Sequence, residues 1–248
     1  MAVKKSELYS TLWKCCDELR GGMDASQYKD YVLVILFVKY ISDKSRSDEG
    51  FDIDIPGGCY FEDFVALKGN PNIGEEMNKK MAALAEANQL DGVFVADFED
   101  DAKLGKGKDK VETLSKLIAV FQNENLDFSK NRAADDDLIG DAYEYLMKNF
   151  ATESGKSKGQ FYTPAEVSRV MAKVIGLGNA RNGKKTTIYD PTCGSGSLLL
   201  RAICETPDGA TIYGQEKDNA TVGLAKMNMI LHNAVSYTHL TLPTNSLV

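Results

Sequence analysis

The chain has 248 residues, with 29 Lys and Arg against 36 Asp and Glu for a formal charge of −7. A hydrophobic content of 43% supports a real buried core, in one large domain or two of ordinary size, and places the chain among globular proteins. The acidic balance excludes nucleic-acid binding through the overall field, so contact with DNA phosphates requires local Lys/Arg patches or a partner subunit.

The N-terminus, MAVKKSELYS, lacks the apolar core of a signal peptide, and the apolar run Tyr31 to Val38 stops at Lys39, too short to span a bilayer. A soluble, cytoplasmic protein with no membrane partner is expected. Five cysteines, Cys15, Cys16, Cys59, Cys193 and Cys204, show no CxxC spacing and read as reduced thiols, with no metal implied.

Residues 6 to 20 place Leu8, Leu12, Cys15, Cys16 and Leu19 at helical spacing, GGMD breaks the pattern, and a second apolar helix is expected over Gln27 to Ser42. Residues 43 to 75 are rich in Gly, Pro, Asn and Asp, so irregular structure with a short strand is expected there. Helices follow at Glu75 to Ala87 and Val111 to Phe121, separated by the charged stretch DFEDDAKLGKGKDK, which reads as a solvated loop. A further helix, Leu138 to Phe150, runs into the polar segment ATESGKSKG, whose composition suits a mobile connection.

From Thr163 the character changes. A helix (Ala165 to Ile175), a strand (TTIYD), a glycine loop, a helix (Ser197 to Glu205), a strand (TIYGQE) and a helix (Thr221 to His232) alternate, which is the order of an α/β domain with parallel strands. There is no internal repeat, and the boundary between a helical domain and the α/β domain falls within residues 130 to 160.

The glycine loop, DPTCGSG at 190 to 196, sits where strand TTIY meets helix SLLLRAICE. A turn in that position brings backbone N–H groups and a helix N-terminus up to a ligand, with glycines where a Cβ would obstruct it. The second strand ends in GQE, which puts Glu216 about 20 residues beyond Gly196, the separation at which an acidic side chain meets a ribose hydroxyl pair in this architecture. Together these describe a pocket for an adenosyl group. A third element is GQFYTPAEV, residues 159 to 167. Thr163 with Glu166 reads as a capping box and Pro164 as the first helical residue, while Phe161 and Tyr162 before the cap are placed to wall in a ligand.

GQFYTP, DPTCGSGS and GQE, in this order and spacing, resemble the cofactor-binding motifs of adenine-specific DNA methyltransferases, in particular the methylation subunit of type I restriction–modification systems. The resemblance reaches back through LWKCCDELRGGMDASQYKDYVLVILFVKYISDK and DLIGDAYEYLMKNFA and covers roughly residues 6 to 233. It implies a helical N-terminal domain (1–135) followed by the first half of a Rossmann-like methyltransferase domain (136–235). It implies S-adenosylmethionine as cofactor, bordered by Gln160, Phe161, Tyr162, Thr163 and Pro164. Asp190, Gly194, Ser195, Gly196 and Ser197 then approach the methionine end, and Glu216 holds the ribose hydroxyls. It implies as partners DNA, a specificity subunit and a restriction subunit.

Two other motifs lose on context. GNARNGKK at 178 to 185 nearly fits a phosphate loop, but Lys185 takes the hydroxyl position and the segment precedes a strand. Cys193 could be a nucleophile at a helix N-terminus, yet neither His232 nor His239 belongs to its motif, and a small residue filling the turn is the favoured role. The basic clusters at 103 to 110, 156 to 158 and 181 to 185 read as solvated surface, with phosphate contact as the functional alternative.

The motif N-P-P-[FYW], or its relative beginning with Asp, which in the resembled family holds and stacks the flipped adenine, is absent from this sequence. No catalytic residue is therefore assigned, and the chain is expected to lack transfer activity by itself. The sequence after Asn233 is expected to continue no strand, and residues 236–248 read as a non-native tail resembling translated adapter DNA. A single-chain methyltransferase with fused recognition or nuclease regions is a rival reading, and a non-catalytic assembly module binding partner subunits or DNA is an alternative from another class.

Overall fold

The computed structural model describes residues 9–14, 25–90, 92–129, 138–153, 163–179, 186–232 and 238–240. The chain divides into two compact units, Met1–Ser154 and Gly155–Val248.

The described residues of the first unit are helical: α1 (residues 9–14), α2 (Ala25–Ser47), α3 (Phe61–Val65), α4 (Ile73–Asn88), α5 (Asp101–Leu104), α6 (Lys108–Phe121) and α7 (Leu138–Glu153). The run Tyr31 to Val38 is buried at every position, so α2 is surrounded instead of amphipathic, and a helix apolar all round belongs at the centre of a bundle. Against it α6 contributes Leu114, Leu117, Ile118 and Phe121 and α7 contributes Tyr143, Leu146 and Phe150, while α4 packs on α6 and buries Ile73, Met77, Met81 and Leu84, each set at helical spacing. The Tyr28 and Phe150 rings meet edge to face at 5.7 Å between centroids, which fixes α7 against α2.

Residues 43–75 differ from expectation. Helix α2 continues to Ser47, the short helix α3 follows, and no strand forms among the described residues. Two polar groups near the end of α2 organise this region. Ser42 Oγ accepts the Phe61 N–H at 2.8 Å, and Asp43 Oδ2 accepts the Phe128 N–H at 2.9 Å while pairing with Lys39. Buried backbone donors that would otherwise be orphaned are thus met by side chains of one helix.

The charged stretch 97–110 is likewise no simple solvated loop. Asp100 caps α5 by accepting from the backbone of Ala102 and Lys103, and the largely buried Lys110 Nζ lies 3.1 Å from Glu99 and 3.0 Å from Asp101. Lys103 pairs with Asp100 at 3.1 Å. Two lysines of this basic cluster are therefore neutralised locally, which leaves Lys106 and Lys108 as its exposed cations. The clusters at 156 to 158 and 181 to 185 lie outside the described residues.

In the second unit α8 (Ala165–Val174) precedes β1 (Thr186–Asp190), α9 (Ser197–Cys204), β2 (Ala210–Gly214), α10 (Asn219–Leu231) and β3 (Thr238–Leu240). All three strands are parallel in the order β1-β2-β3, with Ile188 opposite Ile212 and Asp190 opposite Gly214. Ile212, Leu199, Leu200, Cys193 and Met229 form the core, with Ile188 and Ile203 packed on it. Tyr189 and Tyr213 point the other way and stay exposed, as the two-residue period of a strand requires.

The expectation that no strand follows Asn233 is corrected by β3, which pairs Thr238 with Ile212 and Leu240 with Gly214. Ladder hydrogen bonds come from backbone groups, so a segment without a strong strand pattern can still supply them.

Candidate functional site

The loop between β1 and α9 is built on backbone angles that only glycine adopts readily. Gly194 has φ +55° and Gly196 φ +78°, both left-handed. Their steric reasons differ. A Cβ on Gly194 would meet nothing within 4 Å, whereas one on Gly196 would stand 2.5 Å from Met229 Cε and 3.7 Å from Ala225 Cβ. Gly194 borders open space, and Gly196 lets α10 come close beneath the loop. The sequence reading assigned both glycines to ligand approach. For Gly196 the close neighbour is the protein itself.

Side chains and backbone lace the loop to the end of β2. The Thr192 N–H donates to Asp190 Oδ1 at 2.9 Å, closing an Asx turn. Gln215 donates its N–H to the Asp190 carbonyl and accepts the Cys193 N–H at its own carbonyl, both at 2.9 Å. Glu216 lies two residues beyond β2, where its Oε1 accepts the N–H of Lys217 at 2.7 Å and of Asp218 at 3.0 Å. Asp218 then caps α10 by accepting from the Thr221 N–H at 2.8 Å.

These elements surround a cleft of about 660 Å³ within the second unit. Its lining includes Thr163, Asp190, Gly194, Ser195, Ser197 and Glu216, so six of the sequence-predicted residues converge on one space. Pro164 and Gly196 are not among the lining residues. Gln160, Phe161 and Tyr162 lie outside the described residues.

The capping box expected at Thr163 does not form. Helix α8 begins at Ala165 with Pro164 as N-cap, no side chain caps it, and the Pro164 carbonyl accepts from Val167 and Ser168 at 3.0 Å each. Pro164 is extended at ψ 140°, which puts Thr163 one residue too far out to reach the first turn. Thr163 faces the cleft instead.

Burial, with the carboxylates of Asp190 and Glu216 nearby, pushes the Cys193 thiol up to about 11. A nucleophilic cysteine needs the opposite shift, so Cys193 is an inert part of the turn and core. Sequence reasoning missed the cleft's apolar wall, Met171, Ile175 and Ile188, and also Tyr189, whose ring is exposed at its mouth and whose hydroxyl donates to Gln215 Oε1 at 2.7 Å. The outward phase of Tyr189 in TTIYD was the available signal.

A parallel sheet with a glycine loop after its first strand and an acidic residue after its second defines a Rossmann-like domain. Comparison with known proteins gives the family. Residues 134–246 match the family described as N-6 DNA Methylase, and residues 8–121 match the HsdM N-terminal domain. The chain is 30% identical to the type I restriction enzyme MpnII methylase subunit of Mycoplasma pneumoniae, over 90% of this chain and 49% of that protein. It is 31% identical to the MjaVII methylase subunit of Methanocaldococcus jannaschii, over 94% of this chain and 42% of that protein. The crystal structure of a type I restriction–modification methyltransferase subunit from Streptococcus thermophilus superposes with a TM-score of 0.80 at 27% identity, covering 98% of this chain and 61% of that one.

The chain is similar along at least 90% of its length to type I restriction methylase subunits, and it carries a helical N-terminal domain followed by part of a Rossmann-like methyltransferase domain. It spans about half the length of the curated relatives it matches. Helix α7 falls within the methylase match by sequence, although it packs with the first unit.

Proposed function

We propose that this chain is the N-terminal part and the donor-binding half of a DNA adenine methylase subunit, which works with a specificity subunit and a restriction subunit on DNA in the cytoplasm. The observation that carries the reading is the single cleft that collects Thr163, the Asp190 to Ser197 loop and Glu216 from three separate stretches of sequence. Its volume suits a ligand the size of a nucleoside derivative.

The residues fit S-adenosylmethionine. Open space beside Gly194 admits a ligand against the backbone, and Glu216 has a second carboxylate oxygen to accept from ribose hydroxyls once Oε1 is engaged by Lys217 and Asp218. When bound, S-adenosylmethionine supplies an electrophilic methyl on a sulfonium centre. Asp190 and the loop through Ser197 orient the methionine end, and Met171, Ile175 and Ile188 exclude water from the nucleoside. Gln160, Phe161 and Tyr162 are assigned to the same border by their motif, and so is Pro164, the N-cap of α8.

Presenting adenine requires groups that hold its exocyclic amine and stack on the flipped base. The 248 residues contain no N-P-P-[FYW], so the chain by itself binds the donor and transfers no methyl group. Calorimetric titration of the 248-residue chain with S-adenosylmethionine tests the first half, with Glu216→Ala as control. Absence of binding by the unsubstituted chain would overturn it. Incorporation of labelled methyl into adenine-containing DNA by this chain alone would overturn the second half.

A further inference from the structure

Beneath the glycine loop, α10 buries one fully polar side chain. Asn228 is completely inaccessible, and its Nδ2 donates to the Ser195 carbonyl at 2.9 Å. Ser195 stands between two left-handed glycines, a geometry that takes its carbonyl out of ordinary helical pairing. Only a donor can face a carbonyl, so the amide orientation follows from the contact itself. Asn228 Oδ1 makes no hydrogen bond among the described residues. A buried amide with one unmet acceptor is costly, and every other buried side chain of this helix, Met227, Met229 and Ile230 among them, is apolar. The one described interaction that rewards Asn at this position is the one to the loop.

The same helix makes a second contact with the loop where Met229 and Ala225 close against Gly196. Its head is the Asp218 cap, and Glu216 precedes it by two residues. A single helix of 13 residues thus holds the glycine loop at its third turn, and Glu216 lies just ahead of its N-cap.

Resting on the donor-site reading above, we propose that Asn228 is a positioning residue: its hydrogen bond to Ser195 sets the glycine loop for the amino-acid end of S-adenosylmethionine, while the nucleoside end depends on Glu216. The two ends of the donor are therefore separable by substitution. In the 248-residue chain, Asn228→Leu removes the hydrogen-bond donor while keeping the branched shape, and Asn228→Asp, at nearly the same volume, sets a carboxylate against the carbonyl.

Binding of S-adenosylmethionine and of 5′-methylthioadenosine, which has the nucleoside and lacks the amino-acid end, is measured by calorimetry for each variant. Both variants are expected to weaken S-adenosylmethionine by about tenfold and methylthioadenosine by less than about twofold, and Glu216→Ala to weaken both. Asn228 variants that keep full affinity for S-adenosylmethionine, or that lose both ligands in parallel as a merely structural residue would, overturn the proposal. Failure of the unsubstituted chain to bind either ligand overturns the donor-site reading itself, a result seen before any variant is compared.

Discussion

Gln215 and Asp190 are joined through the backbone: Asp190 is the last residue of β1 paired with β2, and its carbonyl accepts at 2.9 Å the N–H of Gln215, one step past its partner Gly214. The loop that follows each strand is thereby held to the other, and Asp190 and Glu216 are presented to the same cleft by main-chain bonds that need neither side chain.

Substituting either carboxylate is therefore expected to cost binding and a little stability while leaving the fold in place. Glu216→Ala should weaken S-adenosylmethionine at least about tenfold and lose about 1 kcal/mol of stability, because Glu216 Oε1 accepts the N–H groups of Lys217 and Asp218. Asp190→Ala should lose binding and about 1 kcal/mol as well, because Asp190 Oδ1 closes the turn on the Thr192 N–H. Full affinity in either variant, with its urea midpoint lowered as expected, would remove that carboxylate from the site.

The two loop glycines should differ in cost. Gly194→Ala meets only the left-handed backbone penalty, about 1 kcal/mol, since its Cβ enters open space. Gly196→Ala adds a clash with Met229 Cε, the movable end of a flexible side chain, for about 1 to 3 kcal/mol in all. Urea denaturation of the two variants checks the order, and a smaller cost at Gly196 would refute it.

Lys110 in the first unit tests whether its ion pairs matter. Its side chain is 9% exposed, but Glu99 and Asp101 are 43% and 48% exposed, so each pair is worth well under a buried ion pair. Lys110→Met is expected to change stability by less than about 1 kcal/mol, because the stem's burial is retained. Replacing both carboxylates, Glu99→Gln with Asp101→Asn, should cost more than Lys110→Met, since it leaves the enclosed ammonium without a counter-charge.

Alkaline pH should destabilise the protein. Burial, followed by Asp190 and Glu216, raises the Cys193 thiol to about 11, and burial, followed by nearby carboxylates, raises the hydroxyls of Tyr31 and Tyr143 above the usual phenol range. Each group stays protonated in the folded state at pH values where the unfolded chain would ionise. The stabilisation is complete below the unfolded values, about 8.5 for a thiol and about 10 for a phenol, and is lost as pH rises past them towards the folded values. A urea midpoint that falls from pH 8 to 11, with Cys193→Ala flattening the fall that begins near 8.5, is the expected result. An unchanged slope in that variant would remove Cys193 from the account.

Much of this fold is legible in the sequence. The alternation from Thr163 onward gave β1, α9, β2 and α10 nearly residue for residue, because a switch between two-residue and helical periods is a local property. The region 43–75 was not legible. Its chain is tied back to α2 where Ser42 accepts the N–H of Phe61, a partner 19 residues away, just as Asp43 holds the N–H of Phe128, 85 residues away, and no window of sequence displays such pairs. The Thr163 cap failed on a single residue of phase. Pro164 fits a first helical position as readily as an N-cap by composition, and the ψ it takes decides which.

The sequence by itself determined which chemistry-bearing residues exist and how they are ordered: DPTCGSG, Glu216 and the Thr163 segment, with their glycines and their spacing. That follows because turn and helix boundaries depend on near neighbours. Tertiary structure alone decided how those pieces are held together. The exchange of backbone bonds between Asp190, Cys193 and Gln215, the closeness of Met229 to Gly196 and the buried bond from Asn228 to Ser195 arise when parallel strands and their crossover helices pack. Burial makes each of those contacts count, since a polar group removed from water must find its partner in the protein, and only the packed chain says which partner that is.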